Sequence, residues 1–414
     1  MKYLGIDWAT DKHNVALLDE AGAVIDERQV KHQADCVAEL LQQMAQQGGP
    51  EVVKVGIEAG APLVTDQFLQ AGYSVYALNP KQADRYRDRH TVAGSKDDRL
   101  DAVVIADAVR TDAHRLQVLE PDSELTQELR LRDRARSRLV QQRTRYTNQL
   151  RRTLQRYYPA LLELKRDLYE PFFLELMKAY PDPEAGRRAR KPRLQRLLRE
   201  HRIQVLGADE LSQRLRGEPF WVSGAVLAAC RDEASDLVAQ IELLNEQIAA
   251  SERRLRELFK EHPDRELLES LPGLGDVLTI RVATELGEHR AHSGDASSAQ
   301  AYAGTAPVTR RSGKGRVSVR MRRGCNRQLQ SAMYHMARCS VRKSEWAASY
   351  LQHLKGRGVS DAKAVRSLSN KWMKIVVALL STQMPYDEAL HVQHLRRNQV
   401  PWVPQSREPE RRAA

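Results

Sequence analysis

Apolar and polar residues alternate along the first part of the chain in a pattern that predicts a sheet with flanking helices. Apolar runs at 2–6 and 15–18 are separated by a short polar stretch, which predicts the two strands of a hairpin. The apolar run at 52–57 and the run at 74–78 predict two more strands. Helices are expected over about 63–71 and 96–113. The pattern therefore predicts an α/β domain at the N-terminus.

Beyond this domain the pattern changes to long helices. The stretch Glu124–Tyr158 contains many arginines, no proline until its end and a thin apolar stripe, which predicts one extended helix. Its expected partner is the stretch 237–258, where apolar residues follow coiled-coil spacing that only Ser251 interrupts. The residues of this seam are Leu237, Ile241, Leu244, Ile248, Leu255 and Leu258. The spacing leaves open whether the seam lies within one chain or between protomers, and these helices carry no assigned chemistry.

The C-terminal part has helical periodicity around a Pro-Gly-Leu-Gly turn at 272–275, which lies between expected helices at 266–270 and 277–285. The predicted division of the chain has four parts. They are an α/β domain at 1–118, a long-helix region with a basic loop at 119–262, a mostly helical domain at 263–390, and a disordered tail at 391–414 that is rich in proline and charge.

The chain is strongly basic, with 66 Lys and Arg against 54 Asp and Glu and a net charge of +12. This balance predicts a polyanionic partner such as nucleic acid. The basic loop at 187–193 either contacts phosphates or is a solvated surface, and both readings stay open. A second basic run contains no acid, and its members are Arg310, Arg311, Lys314, Arg316, Arg320, Arg322 and Arg323.

Targeting signals and cysteine pairs are not evident in the sequence. No apolar stretch approaches the length of a membrane span, and the N-terminus does not resemble a signal peptide. The four cysteines show neither metal-binding nor disulfide spacing. We therefore expect a cytoplasmic protein without a membrane partner.

Four acidic residues fall at positions that suit a metal site. Asp7 and Glu58 end two predicted strands, while Asp98 and Asp101 are three residues apart on a predicted helix and share one face. Each acid alone would more often be a cap or a solvated turn. Together they predict Mg²⁺ ligands, because Mg²⁺ prefers oxygen donors and paired divalent ions assist phosphodiester cleavage. Asp97 is an alternative to Asp98 as the metal ligand.

Two further motifs predict contact with nucleic acid. The turn at 272–275 resembles a helix-hairpin-helix motif, in which Gly273 and Gly275 would let the backbone approach a phosphate, although an ordinary helical turn also uses such residues. Ser312 lies in a Gly-flanked turn among the cations of the basic run. A serine there could attack phosphorus, or it could belong to a phosphate-binding turn, and the residues alone leave both readings open.

Taken together, these motifs resemble the DEDD-type insertion-sequence transposases, also called bridge recombinases. The resemblance rests on the order of the four acids, the Ser95–Ala102 box, the Pro-Gly-Leu-Gly turn and the Gly-Thr-Ala-Pro to Ser-Gly-Lys segment at 304–314. It spans about 1–115 and 265–385. It implies a RuvC-like, RNase H-like N-terminal domain and a mostly α C-terminal transposase domain, and the helical coiled-coil spacer between them follows from the spacing described above. The implied catalytic residues are Asp7, Glu58, Asp98 and Asp101 as Mg²⁺ ligands and Ser312 as the nucleophile.

The resemblance also implies a reaction and a set of partners. Donor and target double-stranded DNA would be cut and rejoined through 5′-phosphoserine links and a Holliday-junction intermediate. A structured noncoding bridge RNA would choose both sequences by base pairing. The protein would act as a homo-oligomer, a dimer or tetramer, with composite sites completed across protomers. The region 160–235 is longer here than in compact members, and the resemblance assigns it no role.

Three other functions fit part of the pattern. A hydrolytic RNase H-like nuclease or Holliday-junction resolvase would use the same acids with water as nucleophile and would make Ser312 a phosphate contact. A sugar-kinase or actin-like ATPase also begins with a strand such as Gly5-Ile6-Asp7, but the later Gly-rich adenosine loop is missing from this sequence. A non-enzymatic nucleic-acid scaffold would explain the charge and not the converging acids.

Overall fold

The structure is a computed structural model of the chain. Contacts divide it into two compact units, Met1–Asp122 and Ser123–Ala414, and each is described by itself. The residues that the structure describes are 1–58, 62–78, 80–90, 98–116, 118–164, 166–217, 220–288, 295–310 and 318–403.

The first unit is built on a mixed five-stranded sheet with the order β3-β2-β1-β4-β5. Strands β1, β2 and β3 pair antiparallel, while β1, β4 and β5 run parallel. This arrangement confirms the predicted RNase H-like α/β fold, and the sequence analysis missed only β3 among its strands. The strands are β1 (Lys2–Asp7), β2 (Lys12–Leu18), β3 (Val24–Lys31), β4 (Val53–Glu58) and β5 (Val75–Leu78).

Helices cover both faces of this sheet. Alternate residues of β1 show the division, because Leu4 and Ile6 pack with α1 and α3, whereas Tyr3 packs on the side of α5. The helices of the unit are α1 (Ala34–Gln46), α2 (Gly49–Val52), α3 (Pro62–Gln70), α4 (Pro80–His90) and α5 (Asp98–Asp112), followed by a 3-10 turn at Ala113–Arg115.

Two strand glycines let α5 lie directly on the sheet. A Cβ atom at Gly5 would collide with the carbonyl oxygen of Ala102, and one at Gly56 would lie 2.8 Å from Cγ2 of Ile105. These two glycines are paired in register on β1 and β4. The absence of both side chains therefore brings the backbone of α5 against the two central parallel strands, close to where those strands end.

The second unit is almost entirely helical apart from one short hairpin, β6 (Val308–Arg310) with β7 (Ser318–Arg320). A 3-10 segment covers Pro159–Leu164. The helices are α6 (Glu124–Tyr157), α7 (Pro171–Ala179), α8 (Pro183–Arg187), α9 (Lys191–Glu200), α10 (Ala208–Leu215), α11 (Gly224–Phe259), α12 (Arg265–Glu269), α13 (Asp276–Leu286), α14 (Ala296–Tyr302), α15 (Arg327–Ser340), α16 (Glu345–Gly356), α17 (Asp361–Thr382) and α18 (Glu388–Arg397).

The predicted coiled-coil seam is a contact within the chain. Helices α6 and α11 pack antiparallel, because Arg136 pairs with Glu252 near one end and Gln149 bonds to Glu233 near the other. Five of the six predicted seam residues are buried in α11, and they are Leu237, Ile241, Leu244, Ile248 and Leu255. The periodicity of the sequence thus identified the packed face, and the structure identifies α6 as its partner.

Two apolar clusters share the long helix pair. One includes Leu150 and Leu154 of α6 together with α7, α9 and α10, while the other includes Leu129 of α6 together with the helices from α12 to α17. Because α6 and α11 run through both clusters, the structure groups the regions predicted as separate domains at 119–262 and 263–390 into one unit. No helix in the described ranges is both long enough and apolar enough to cross a membrane.

The prediction of a disordered tail from residue 391 is wrong for its first part. Helix α18 continues to Arg397, and the ring of Trp402 packs 4.7 Å from that of Tyr350. His391, Val392 and Leu395 of this segment also pack against the helical core, so its charge and prolines concealed several contacts. Residues 404–414 lie outside the described residues.

Candidate catalytic site

Two of the predicted metal ligands, Asp7 and Glu58, lie side by side. They end the neighbouring parallel strands β1 and β4, whose register pairs Ile6 with Ile57 and so places Asp7 level with Glu58. Neighbouring strands are about 4.8 Å apart. Because successive side chains alternate between the faces of a sheet, both acids point to the same face as Gly5 and Gly56, the face that α5 covers. The two carboxylates therefore share one edge and one face of the sheet.

A third polar group joins this edge from β2. Asn14 lies directly across from Asp7 in the antiparallel ladder and is only 7% exposed. Its side-chain oxygen is buried and has no hydrogen-bond partner among the described residues. A buried acceptor without a donor is costly, so a cation or a bound water at this edge would satisfy it. Asn14 could not be identified from the sequence, because only the strand pairing places it beside Asp7.

Asp101 is engaged by a cation of the protein itself. Its carboxylate is almost buried on α5 and accepts a hydrogen bond from Nε of Arg87 on α4, at 2.5 Å. This bond is the main reason that the pKa of Arg87 is raised. Arg87 also pairs with Asp84, one turn earlier on α4. The structure therefore brings Asp101 to the α5 face but gives it a guanidinium partner.

Asp98 is the first residue of α5, and its side chain lies outside the described residues, as does Asp97. Among the side chains that are described, no group of three or more His, Cys, Asp or Glu is arranged to hold a metal ion. The donors that do converge, Asp7, Glu58 and Asn14, are all oxygens. An oxygen-only donor set suits Mg²⁺ and does not suit thiophilic metals.

The predicted nucleophile belongs to the segment that joins β6 to β7. Strand β6 pairs antiparallel with β7, with Thr309 opposite Val319. Ser312, Arg311, Lys314 and Arg316 lie in the joining residues 311–317, which are outside the described residues, as is the side chain of Arg310. The remaining members of the basic run are described, with Arg320 and Arg323 exposed and Arg322 half-buried.

Tyr302 and Asn326, which lie on either side of the hairpin, are joined by a hydrogen-bond network that includes the buried Glu285. The backbone N–H of Asn326 donates to the carbonyl of Tyr302 at 2.8 Å, and its side-chain amide donates to the Tyr302 hydroxyl at 2.9 Å. The same amide donates to Glu285 at 2.7 Å, and Glu285 also accepts two hydrogen bonds from Arg134 of α6. The network joins Tyr302 and Asn326 to α13 and α6 on either side of the hairpin.

A cavity of about 200 Å³ lies at the foot of the same hairpin. Two arginines line it, Arg327 from the start of α15 and Arg366 from α17. Polar groups of Thr305, Gln330 and Tyr334 complete the wall. Its size and its two cations suit an anionic group such as a phosphate. This cavity could not be predicted from the sequence, because its walls come from four separated stretches of the chain.

Gly273 lies in a different environment from the one that the helix-hairpin-helix motif predicts. The motif forms as α12, a turn and α13, but Gly273 is buried with a φ of +91°, and a Cβ atom there would lie 2.5 Å from the backbone nitrogen of Ser340. This glycine is therefore explained by close packing against α15. Gly275 has open space around it, but Asp276 follows at the start of α13 and pairs with Arg256. An acid at a helix N-terminus disfavours phosphate there, so contact at Gly275 stays a prediction.

Glu285→Gln is expected to destabilise the second unit. The carboxylate is 3% exposed, and removing its charge leaves donors of Arg134 and Asn326 poorly paired, at a cost of about 1–3 kcal/mol. Burial alone would raise the pKa of Glu285, but the hydrogen bonds from Arg134 and Asn326 bring it below its ordinary value. Because this pKa is lower in the folded state, the stabilisation is present above the ordinary pKa and is lost as pH falls through the folded pKa.

Urea unfolding of the full chain at neutral and acidic pH measures both effects. Glu269→Gln is the matched control, because Glu269 is exposed and its only ion pair among the described residues is with Arg265 on its own helix. The control should change the free energy of unfolding by less than about 0.5 kcal/mol. Equal stabilities of the two variants at neutral pH would contradict the anchoring role of Glu285.

The fold and the candidate site together define an RNase H-like enzyme domain joined to a helical unit with a basic hairpin. Comparison with known proteins agrees. A transposase family model matches residues 4–159, and the model of the transposase family IS116/IS110/IS902 matches residues 265–352. The chain is 31% identical over 401 residues to a putative mini-circle transposase for IS117 of Streptomyces coelicolor, covering 93% of this chain and 95% of that protein.

Two other similarities are more local. The putative transposase y4uE of Sinorhizobium fredii is 40% identical over 209 residues, which cover 50% of this chain and 58% of that protein. The structure of Thermus thermophilus RuvC in complex with a Holliday junction substrate is 15% identical, with a TM-score of 0.23, and covers 29% of this chain and 99% of that chain. The chain belongs to the IS116/IS110/IS902 transposase family. It is therefore an enzyme of DNA transposition, as the sequence predicts.

Proposed function

We propose that this transposase cuts and rejoins donor and target DNA by Mg²⁺-assisted strand transfer through serine esters, guided by a structured noncoding bridge RNA. The observation that carries the proposal is the placement of Asp7 and Glu58. The two acids are level on neighbouring parallel strands, on one face, beside the unsatisfied side-chain oxygen of Asn14. Acids at the carboxyl ends of adjacent parallel strands suit ligand binding at that edge.

The proposed metal ligands are Asp7, Glu58, Asp98 and Asp101. Divalent ions bound there would neutralise charge on the attacking and leaving oxygens of the phosphodiester. The chain supplies rigid strand ends for Asp7 and Glu58, and α5, seated on Gly5 and Gly56, supplies the other two acids. To bind the metal, the Asp101 carboxylate would release Arg87. Arg87 would therefore bind this carboxylate in the metal-free protein.

Ser312 is the proposed nucleophile. Its hydroxyl oxygen would form a bond to phosphorus and lose its proton to solvent, while the bond from phosphorus to the 3′ oxygen breaks and that oxygen takes up a proton. A 3′ hydroxyl of another strand would then attack the phosphoserine and release the serine, so the bond energy is conserved. Arg320 and Arg323, which are exposed beside the hairpin, would contact the DNA backbone, and Arg327 and Arg366 would bind a phosphate in the cavity.

The proposed partners are double-stranded donor and target DNA, the bridge RNA and further copies of the chain in a dimer or tetramer. The net charge of +12 supports a polyanionic partner. Association with the nucleoid would follow from the affinity for DNA.

A recombination assay tests this function directly. Purified full-length chain is mixed with donor and target DNA and with the RNA encoded in the flank of the element, in Mg²⁺ or in EDTA. We expect joined products only when Mg²⁺ and the matching RNA are both present, with a shuffled RNA as the control. Cleavage without joining would instead support a hydrolytic nuclease, and joining that ignores the RNA sequence would remove the guide from the proposal.

A further inference from the structure

The second half of helix α6 exposes an unusual face. From residue 134 to residue 162 the sequence contains no Asp or Glu. Three arginines spaced seven residues apart are exposed along this stretch, Arg138, Arg145 and Arg152. Beside them runs a second exposed file of side-chain amides, also seven residues apart, formed by Gln141, Asn148 and Gln155.

Helix geometry makes each file nearly straight. Seven residues fall about 20° short of two full turns, so the three arginines point in almost the same direction. At 1.5 Å per residue they span about 21 Å along the axis. The opposite face of α6 packs on α11 through Leu150 and Leu154, so the arginine file is turned away from the core of the unit.

The three arginines have no acidic partner among the described residues, and the same holds for Arg151 and Arg156 on this helix. Arg132, earlier on the same helix, pairs with Glu128, and Arg196 of α9 pairs with Glu200. A surface helix is usually stabilised by such pairs of opposite charge, whereas this file contributes only repulsion among like charges. The stability of the fold therefore does not explain why the three arginines are aligned, whereas contact with a polyanion would explain it.

We propose that the arginine file of α6 is a binding surface for duplex DNA. The major groove of B-form DNA admits an α-helix, and arginine and side-chain amides are the groups that contact its phosphates and base edges. The major groove of A-form RNA is too deep and narrow for this contact. The choice of DNA as partner rests on the proposed strand-transfer function. The surface itself needs no catalytic residue, so it can be tested without cleavage.

The test is the salt dependence of DNA binding by the full chain, measured by fluorescence anisotropy with labelled duplex DNA in Mg²⁺-free buffer without RNA. The variant carries Arg138→Gln, Arg145→Gln and Arg152→Gln. Each phosphate contact contributes about 0.9 to the slope of log K against log salt, so losing three contacts should reduce the slope by about 2.7. Affinity at low salt should fall at least about tenfold.

The matched control removes three exposed arginines that each pair with an acid four residues away in the sequence, Arg132→Gln, Arg188→Gln and Arg196→Gln. It changes the net charge equally, and we expect its slope to stay unchanged. A second triple variant replaces the file arginines with lysine and should keep the slope, because lysine also neutralises a phosphate. Equal losses in the glutamine triple and the control would overturn the proposal, as would a loss confined to duplex RNA. Circular dichroism of each variant verifies that α6 is folded.

Discussion

Asp7→Asn is expected to reduce Mg²⁺-dependent DNA cleavage by about a thousandfold or more. Metal-bound charge stabilisation amounts to several kcal/mol, and about 1.4 kcal/mol corresponds to a factor of ten in rate. The substitution keeps the shape of the side chain and removes the charge at the end of β1. Because Asp7 lies level with Glu58 and opposite Asn14, no other described carboxylate on β1 can replace it.

The rate of nicking of labelled donor DNA measures this effect, and calorimetric titration with Mg²⁺ measures metal binding independently of activity. Asp11→Asn is the control, since Asp11 is exposed between β1 and β2 and the substitution changes the charge equally. We expect the control to retain cleavage and metal binding. Undiminished cleavage by Asp7→Asn would remove this residue from the metal site.

Ser312→Ala is expected to abolish strand transfer, with a loss on the order of a millionfold, as is typical when an enzyme loses its attacking group. The variant lacks the oxygen that would bond to phosphorus but keeps the surrounding cations, so binding of duplex DNA should be retained. Product formation in the recombination assay and anisotropy with duplex DNA measure the two properties. Ser318→Ala, at the start of β7, is the matched control and should recombine normally. Full recombination by Ser312→Ala would contradict the nucleophile assignment.

The acids at the strand ends could be predicted because the signal is local. An apolar run followed by an acid marks the end of a strand, so the positions of Asp7 and Glu58 follow from a few neighbouring residues. The helical seam of α11 could be predicted for the same reason, since its apolar spacing repeats along one stretch. In both cases a short window of sequence contains the whole pattern.

The features that depend on distant contacts could not be predicted. Arg87 holds Asp101 only because α4 lies against α5. Gly5 is required because the Ala102 carbonyl meets the sheet there, and Gly273 because α15 packs against the turn. In the sequence Gly5 is consistent with an ordinary strand position, and Gly273 is consistent with a turn that contacts a phosphate. In the structure, glycine is required at both positions because elements that are far apart in the chain pack closely there.

The region 160–235 illustrates the same limit at a larger scale. Its short helices share one apolar cluster with the long pair, in which Phe172 and Phe173 are fully buried. The charged and proline-containing loops between them hide this core from any short sequence window. The segment from residue 391 is a similar case, because Val392, Leu395 and Trp402 pack on the helical core although composition alone marks the segment as disordered.

The central claim is strand transfer through a covalent serine link, and an adduct-trapping assay tests it most directly. The full chain is incubated with Mg²⁺, the flanking RNA and end-labelled donor DNA, then denatured and separated by electrophoresis beside Ser312→Ala and Ser318→Ala. We predict a labelled protein–DNA band that is absent from Ser312→Ala and from EDTA samples but present in Ser318→Ala. Cleaved DNA without any adduct in the unmodified chain would contradict the account and support hydrolysis by water.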